Sequence, residues 1–333
     1  MNIYDVSEKS GVSIATVSRV LNGSPNVSEA TKKKVLSVME ELGYTPNVFA
    51  RGLGLNTMNT IGIMCSDSSD PFLANAVYYL EQNLRKNGYD AFLCCTGYEL
   101  VNKQKYLQLL LGKRVDAVIL VGSSFLEADN NGNKYIIEAA HKVPVMIING
   151  YLAHPNIYCT VCDDYQATYD ATNNLIKSGS RNILYLYSSK SYSGIQKLNG
   201  YKDAITSNNL SLKDSLMVCN SGDIETITEV LDKLYKNDSK FDAIITSEDH
   251  LAVGAIKFAK KNGIKIPKDL QVIGYNNSIL SHCTDPEISS VDNHVEALSI
   301  ATVTNLMRVL AKADVPNRTT LSNDLIKRET TRF

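Results

Sequence analysis

The sequence predicts a small all-α head followed by a larger α/β body whose parallel sheets are flanked by helices and divided between two lobes. Three observations predict it: a helix-turn-helix pattern from Ile3 to Asn22, a second short element from Pro46 to Leu53, and alternating apolar runs and amphipathic stretches from Thr60 onward. Such alternation is what parallel strands joined by crossover helices produce.

The head is legible from its turns and caps. Gly11 supplies the positive φ of a tight interhelical turn, Val12 is an apolar plug, and Ser13 N-caps a helix running to Asn22 and stopping at Gly23. Val17, Val20 and Leu21 recur at helical spacing and face inward, which leaves Ile14, Ala15, Thr16, Ser18, Arg19 and Asn22 more or less outward. That outward set is small and polar, as a major-groove reader requires. Ser28 caps a third helix carrying Val35, Val38, Met39 and Leu42, and Gly43 ends it. Charge does not decide between a DNA reader and a structural helix pair: residues 1–60 hold six Lys/Arg against five Asp/Glu, a balance of +1. Lys32, Lys33 and Lys34 cluster where phosphates would lie, although a solvated helix face has the same composition.

Composition bounds the remainder. At 333 residues and 44% hydrophobic, the chain exceeds one ordinary domain and can bury a large core. No apolar run approaches the ~20 residues of a membrane span, and no apolar signal stretch opens the chain, so a cytosolic protein is expected. Seven cysteines, an odd number, fit a reducing compartment. The Cys159-Thr160-Val161-Cys162 run lies in an expected strand, where residues three apart face opposite sides, so no metal or dithiol site is expected there. The histidines at 141, 154, 250, 282 and 294 lack ligand spacing, and His250 beside Asp249 at a helix start reads as a capping arrangement. Phosphate-loop, zinc-protease, nucleophile-elbow and dinucleotide motifs are missing, so neither enzyme nor cofactor is expected.

Strands are expected at Ile61–Cys65, Ala91–Cys95, Ala117–Val121, Val145–Ile148, Asn182–Tyr187, Ala243–Thr246 and Val272–Tyr275, with helices between most of them. In open α/β sheets, ligands sit beyond the carboxyl ends of the strands. Phe72, Ser123, Asn149, Glu248 and Asn276 are therefore placed for an effector by topology alone.

The strings Tyr4-Asp5-Val6, Gly11-Val12-Ser13, Thr16 to Gly23, Gly43 to Asn47 and Ala50 to Leu53 resemble the LacI/GalR family of bacterial transcription regulators. The resemblance implies that Ile14 and Ala15 select operator bases, that Arg19 contacts a base, and that Tyr4, Thr16, Ser18, Asn22 and Asn26 fix the backbone or neighbouring bases. Ser13, Thr31, Asn47 and Ala50 complete the implied DNA-contacting set. It further implies that residues 46–53 coil into a hinge helix only on operator, with paired Leu53 side chains wedged into the minor groove.

Through the body the resemblance continues, in Ser69 to Phe72, Asp163 to Gln166, Lys197 to Tyr201, Ser247 to Ala255 and Ile266 to Asn277. It implies a clamp like the periplasmic binding proteins. The expected divisions are residues 1–45 for DNA binding, 46–59 for hinge and linker, and 60–333 for effector binding and dimerisation. Within the last, one lobe takes about 60–160 and 292–320, and the other about 161–291 and 321–333. The implied ligand is a small molecule, a sugar or sugar phosphate. Where family sugar binders often carry Arg, Asn and Asp, this chain has Lys197, Glu248 and Asn276, so a galactoside-like or purine-like site is not expected. With no Trp, stacking falls to Phe72 and Tyr192.

Lys197 to Lys202 and Asp163 to Ala171 also resemble the catabolite control protein A branch, which implies an alternative: a phosphorylated carrier protein as corepressor, docked near Leu73–Asn87 and Val295–Ala311. Between regulator, free small-molecule binder and enzyme, the regulator is expected. It would act as a repressor and homodimer on a palindromic operator, and the lack of a heptad tail argues against a tetramer.

Overall fold

The computed structural model describes residues 1–21, 23–44, 57–129, 131–237 and 240–333. Asn22 and the expected hinge helix, with Asn47, Ala50 and Leu53, lie outside the described residues. The chain divides into two compact units, Met1–Thr60 with Arg114–Asp116, and Ile61–Lys113 with Ala117–Phe333.

The head contains α1 (Ile3–Ser10), α2 (Ile14–Leu21) and α3 (Glu29–Leu42). A capping box unread in the sequence starts α1: the Asn2 side chain accepts from the backbone of Tyr4 at 2.8 Å and Asp5 at 3.3 Å, and the Asp5 carboxylate accepts from the Asn2 backbone at 2.8 Å. Gly11 takes φ 63°, Ser13 Oγ accepts from Thr16 N at 3.2 Å, and Ser28 Oγ accepts from Thr31 N at 3.2 Å. Val6, Val17, Val20, Val35 and Met39 form the buried seam, flanked by Val12, Leu21, Val38 and Leu42.

The body holds two six-stranded sheets. The first runs in the order β11-β5-β4-β3-β1-β2, from Thr60–Cys65 (β1), Asp90–Cys95 (β2), Ala117–Val121 (β3), Val145–Ile148 (β4), Ile157–Cys162 (β5) and Arg318–Leu321 (β11). The second runs β12-β10-β9-β8-β6-β7, from Ile183–Tyr187 (β6), Met217–Cys219 (β7), Ala243–Thr246 (β8), Gln271–Tyr275 (β9), Ser289–Asp292 (β10) and Asp324–Ile326 (β12). Strand β12 pairs antiparallel with β10, whereas β10, β9, β8, β6 and β7 pair in parallel. Every residue of β1, β3 and β4 is buried, as a parallel sheet covered on both faces demands.

Helices Pro71–Lys86 and Val295–Leu310 share a core with the first sheet, through Leu73, Leu80, Leu84, Val303 and Leu306. On the second sheet, Leu184, Ile244 and Val272 face helices Ile224–Lys236 and Asp249–Lys261, while Tyr185, Ile245 and Ile273 face Asp164–Lys177 and Tyr192–Ser207. The chain passes between the two lobes after β5, after β10 and after β11. Each of the seven expected strands falls on an observed one, and β5 holds the 159–162 cysteine run, likewise expected as a strand. Strands β7, β10, β11 and β12 are not among the expected strands, because they are three or four residues long and polar or at an edge.

Helices Asp164–Lys177 and Tyr192–Ser207 approach backbone to backbone at Gly200. A Cβ there would fall on the Tyr165 carbonyl oxygen and lie 3.1 Å from both the Tyr165 carbonyl carbon and Tyr169 N. Gly200→Ala is expected to lower unfolding free energy by about 1–3 kcal/mol through overpacking. Gly112→Ala, at a helical position with open space around it, is expected to raise it by about 0.4–1 kcal/mol, both read from denaturant unfolding.

Candidate nucleic-acid interface and effector cleft

The outer face of α2 is built by what its inner face buries. With Val17 and Val20 turned into the seam, Ile14, Ala15 and Arg19 are exposed and Thr16 and Ser18 half-buried. Ala15 and Arg19 are four residues apart, as are Ile14 and Ser18, so each pair shares a stripe. Ser13 and Thr16 hydroxyls also bond each other at 3.0 Å, and Ser28 and Thr31 do so at 2.9 Å. Ser13 Oγ is therefore engaged twice and keeps one of its three hydrogen-bonding functions, whereas the Thr31 hydroxyl is engaged once and keeps two. Tyr4 is 66% exposed, and Asn26 is exposed. Lys33 and Lys34 are exposed, whereas Lys32 faces Glu29 at 3.7 Å.

In the body, a buried carboxylate anchors a polar tract that reaches from the second lobe to the first. Asp164, at the first turn of Asp164–Lys177, accepts from Tyr275 Oη at 2.6 Å and from Ser193 Oγ at 2.6 Å. Ser193 Oγ in turn accepts from Asn149 Nδ2 of the first lobe at 3.3 Å. Asn149 takes φ 60°, and its Oδ1 accepts from Cys162 N at 3.3 Å. Nearby, Ser123 Oγ donates to Ser191 Oγ at 2.9 Å, again from lobe to lobe. Lys197 is only 5% exposed; its ammonium donates to the Ser247 carbonyl at 3.0 Å and lies 3.6 Å over the Tyr275 ring. Asn276 Oδ1 accepts from Asn293 Nδ2 at 2.8 Å. The Oδ1 atoms of Asn293 and Asn323 are buried and find no partner among the described residues.

A second charged group faces the cleft from both sides. Glu248 accepts from Ser188 Oγ at 2.6 Å and meets His250 Nδ1 at 3.2 Å. Burial pushes the Glu248 carboxyl up, but the bonds from His250 and Ser188 and the charges of His250 and Lys197 outweigh it and hold it below its ordinary value. Burial likewise lowers His250, yet the bond and charge of Glu248, helped by Asp70 and Asp249, raise it. Asp70 caps helix Pro71–Lys86 through Leu73 N at 2.8 Å, and burial pushes its carboxyl up, with Glu248 adding to the rise.

Residues 58–329 match the family of periplasmic binding proteins and sugar binding domains of the LacI family, and residues 2–47 match the bacterial regulatory proteins of the lacI family. The chain belongs to the LacI family. An HTH-type transcriptional regulator of Lachnoclostridium phytofermentans is 66% identical over 333 residues, which covers 100% of both chains. Catabolite control protein A of Priestia megaterium is 34% identical over 295 residues, 87% of each chain. Among solved structures, the lac repressor dimer bound to operator and the anti-inducer ONPF superposes with a TM-score of 0.88 at 22% identity, over 99% of both chains. This LacI-family member is thus a transcriptional regulator with a DNA-binding head and a body of the sugar-binding type, and not an enzyme.

In this LacI-family regulator the residues expected at the effector site do not form one ring. Asn149 and Lys197 join the Asp164 tract, Lys197 through the face of Tyr275; Ser123 bridges the lobes separately; Glu248 stands with His250; and Asn276 is tied to Asn293. Phe72 is half-buried against the first core, two residues along from Asp70, and Tyr192 is half-buried at the start of its helix. Among the described residues Lys197 forms no salt bridge; its ammonium is taken up by the Ser247 carbonyl and the Tyr275 ring. His250 does not cap its helix: Glu248 occupies the cap position without a side-chain cap bond, and the imidazole turns back to that carboxylate. Sequence reasoning missed Asp164, Ser193, Tyr275 and Asp70 as site residues. The double acid Asp163-Asp164 was the available signal, since only Asp163 is needed as the cap, which it provides through Gln166 N at 3.1 Å.

Because the folded His250 value is raised, its contribution to stability is complete below the ordinary 6.5 and is lost as pH rises through the raised value. Urea unfolding at a series of pH values is expected to show stability falling on that alkaline side, and His250→Gln is expected to flatten the fall. An unchanged slope in the variant would remove the imidazole from this role.

Proposed function

We propose that this protein is a repressor that binds a palindromic operator as a homodimer and is switched by a sugar bound between its lobes. The observation that carries this reading is the pairing, in one chain, of an exposed reading face on α2 with a body whose lobes are joined by a buried polar tract. Ile14, Ala15 and Arg19 read base edges, with Tyr4, Thr16, Ser18 and Asn26 against the backbone and Lys33 on phosphate. Asn22, Asn47, Ala50 and Leu53 take the roles that the family resemblance gives them. Two recognition helices then lie one DNA turn, about 34 Å, apart.

The effector engages Ser123, Asn149, Lys197, Glu248 and Asn276, with Phe72 and Tyr192 as stacking rings. Its hydroxyls compete for the bonds that Ser123 and Asn149 now make to Ser191 and Ser193 across the cleft, so the lobe angle changes with occupancy. An effector that prefers one arrangement by ~100-fold shifts operator binding by about 2.7 kcal/mol. Work on DNA places the protein in the cytosol. The likeness to catabolite control protein A supports a second reading, in which a phosphorylated carrier protein is the corepressor.

Selection of bound fragments from random DNA supplies the operator. On it, Arg19→Ala is expected to relax preference at one base position, whereas Lys33→Ala is expected to reduce the salt slope by about one unit without altering preference. Exchange of these two outcomes would overturn the assigned roles. Operator affinity measured with neutral sugars, sugar phosphates and seryl-phosphorylated carrier protein separates the two effector readings. A response to the carrier alone would remove the cleft from control.

A further inference from the structure

Cys65 and Cys95 lie on neighbouring strands β1 and β2 with their sulfurs 3.7 Å apart. Cys65 is fully buried, and Cys95 is exposed on the edge strand of the sheet. The strands are in register at this point, since Thr96 N donates to Cys65 O at 2.9 Å and Gly97 N to Ser66 O at 3.0 Å. Cys94, the third thiol nearby, lies one residue along the strand and so faces the opposite side of the sheet. Among the described residues, no group of three His, Cys, Asp or Glu side chains is arranged to hold a metal ion, so the pair is not part of a metal cluster.

A disulfide needs its sulfurs about 2.05 Å apart, so from 3.7 Å the pair must close by about 1.7 Å. An edge strand can yield that distance because it is pinned on one side only. We propose that Cys65 and Cys95 are a thiol–disulfide exchange site that closes reversibly on reaction with a low-molecular-weight disulfide, and that closing it moves the cleft wall. The exposed Cys95 thiolate attacks one sulfur of the small disulfide, which forms a mixed disulfide and releases one thiolate. Cys65 then gives up its proton and attacks the Cys95 sulfur, and the second small thiolate leaves. The protein is oxidised by two electrons, the small disulfide is reduced to two thiols, and the two protein thiol protons end on them.

Burial, and then the Cys95 contact, push the Cys65 thiol up to about 12, so Cys95 is the attacking thiol and Cys65 the resolving one. Residues just C-terminal to the two cysteines give the closure its reach. Ser66 accepts from Ser124 Oγ at 3.1 Å, next to the Ser123 that bonds Ser191 of the other lobe, and its carbonyl accepts from Gly97 N at 3.0 Å. Drawing β2 onto β1 therefore pulls on Ser66 and, through it, on Ser124 beside the interlobe bond of Ser123.

The test uses the full chain, reduced, freed of reductant and incubated with oxidised glutathione. Intact mass, peptide mapping and hydrogen exchange are read together. Expected are the loss of two of the seven thiols, one peptide pair linked through Cys65 and Cys95, reversal by dithiothreitol, and slowed exchange over residues 66–70 and 96–99. Cys95→Ser is expected to abolish all four. Cys65→Ala is expected to leave a lasting glutathione adduct on Cys95. A lasting adduct on the unaltered protein, cross-linked chains, a bond to another cysteine or no loss of thiol would overturn the site. A Cys65–Cys95 bond with unaltered exchange would overturn its link to the cleft.

Discussion

Asp164 is a carboxylate taken almost wholly out of water, at 2% exposure, and such a group is tolerable only when its oxygens are occupied. Tyr275 and Ser193 occupy them, and each donor in turn fixes something else. Tyr275 presents its ring face to Lys197 and accepts from Asn323 Nδ2 at 2.9 Å, while Ser193 holds Asn149 of the opposite lobe. One acid therefore sets the place of a strand end, a helix start, an ammonium and two of the crossings between lobes. Because the tract is buried, breaking any one bond leaves a donor or acceptor unsatisfied, which costs about 1–3 kcal/mol, so its arrangements are discrete rather than graded.

The head was legible because its instructions are local. A serine or glycine at a helix end acts within four residues, and Ser13, Ser28, Gly11 and Gly43 act as their positions suggest. The inner strands of the body were legible for a different reason: a strand buried on both faces has to be apolar throughout, and Ile61–Cys65 and Ala117–Val121 cannot be solvent-facing. Strand β10 escaped because its buried residues include Ser289 and Ser290, whose hydroxyls are satisfied by Thr331 and Asp249 from distant parts of the chain. No local pattern announces a partner forty residues away.

Much the same limit governed the cleft. Topology put Asn149, Glu248 and Asn276 at strand ends, and that much needed only the alternation of elements. What each does there depends on partners distant in the chain: Ser193 for Asn149, Ser188 for Glu248 and Asn293 for Asn276. Asp164 and Asp163 are indistinguishable as letters, yet Asp163 caps a helix at the surface and Asp164 is buried under Tyr275 and the Ser193 that reaches the other lobe. His250 shows the same thing in reverse, since its sequence neighbour Asp249 is turned toward Ser278 and Ser290, and Glu248 is its partner.

The lobes are joined by three covalent strands of chain, between Cys162 and Asp163, at Asn293, and between Leu321 and Asp324. Three tethers side by side resist sliding and twisting but bend together, as the leaves of a door do on a row of pins. The soft coordinate of the body is thus a swing about a single line, and only a guest that wedges or draws the free edges apart or together does mechanical work on it.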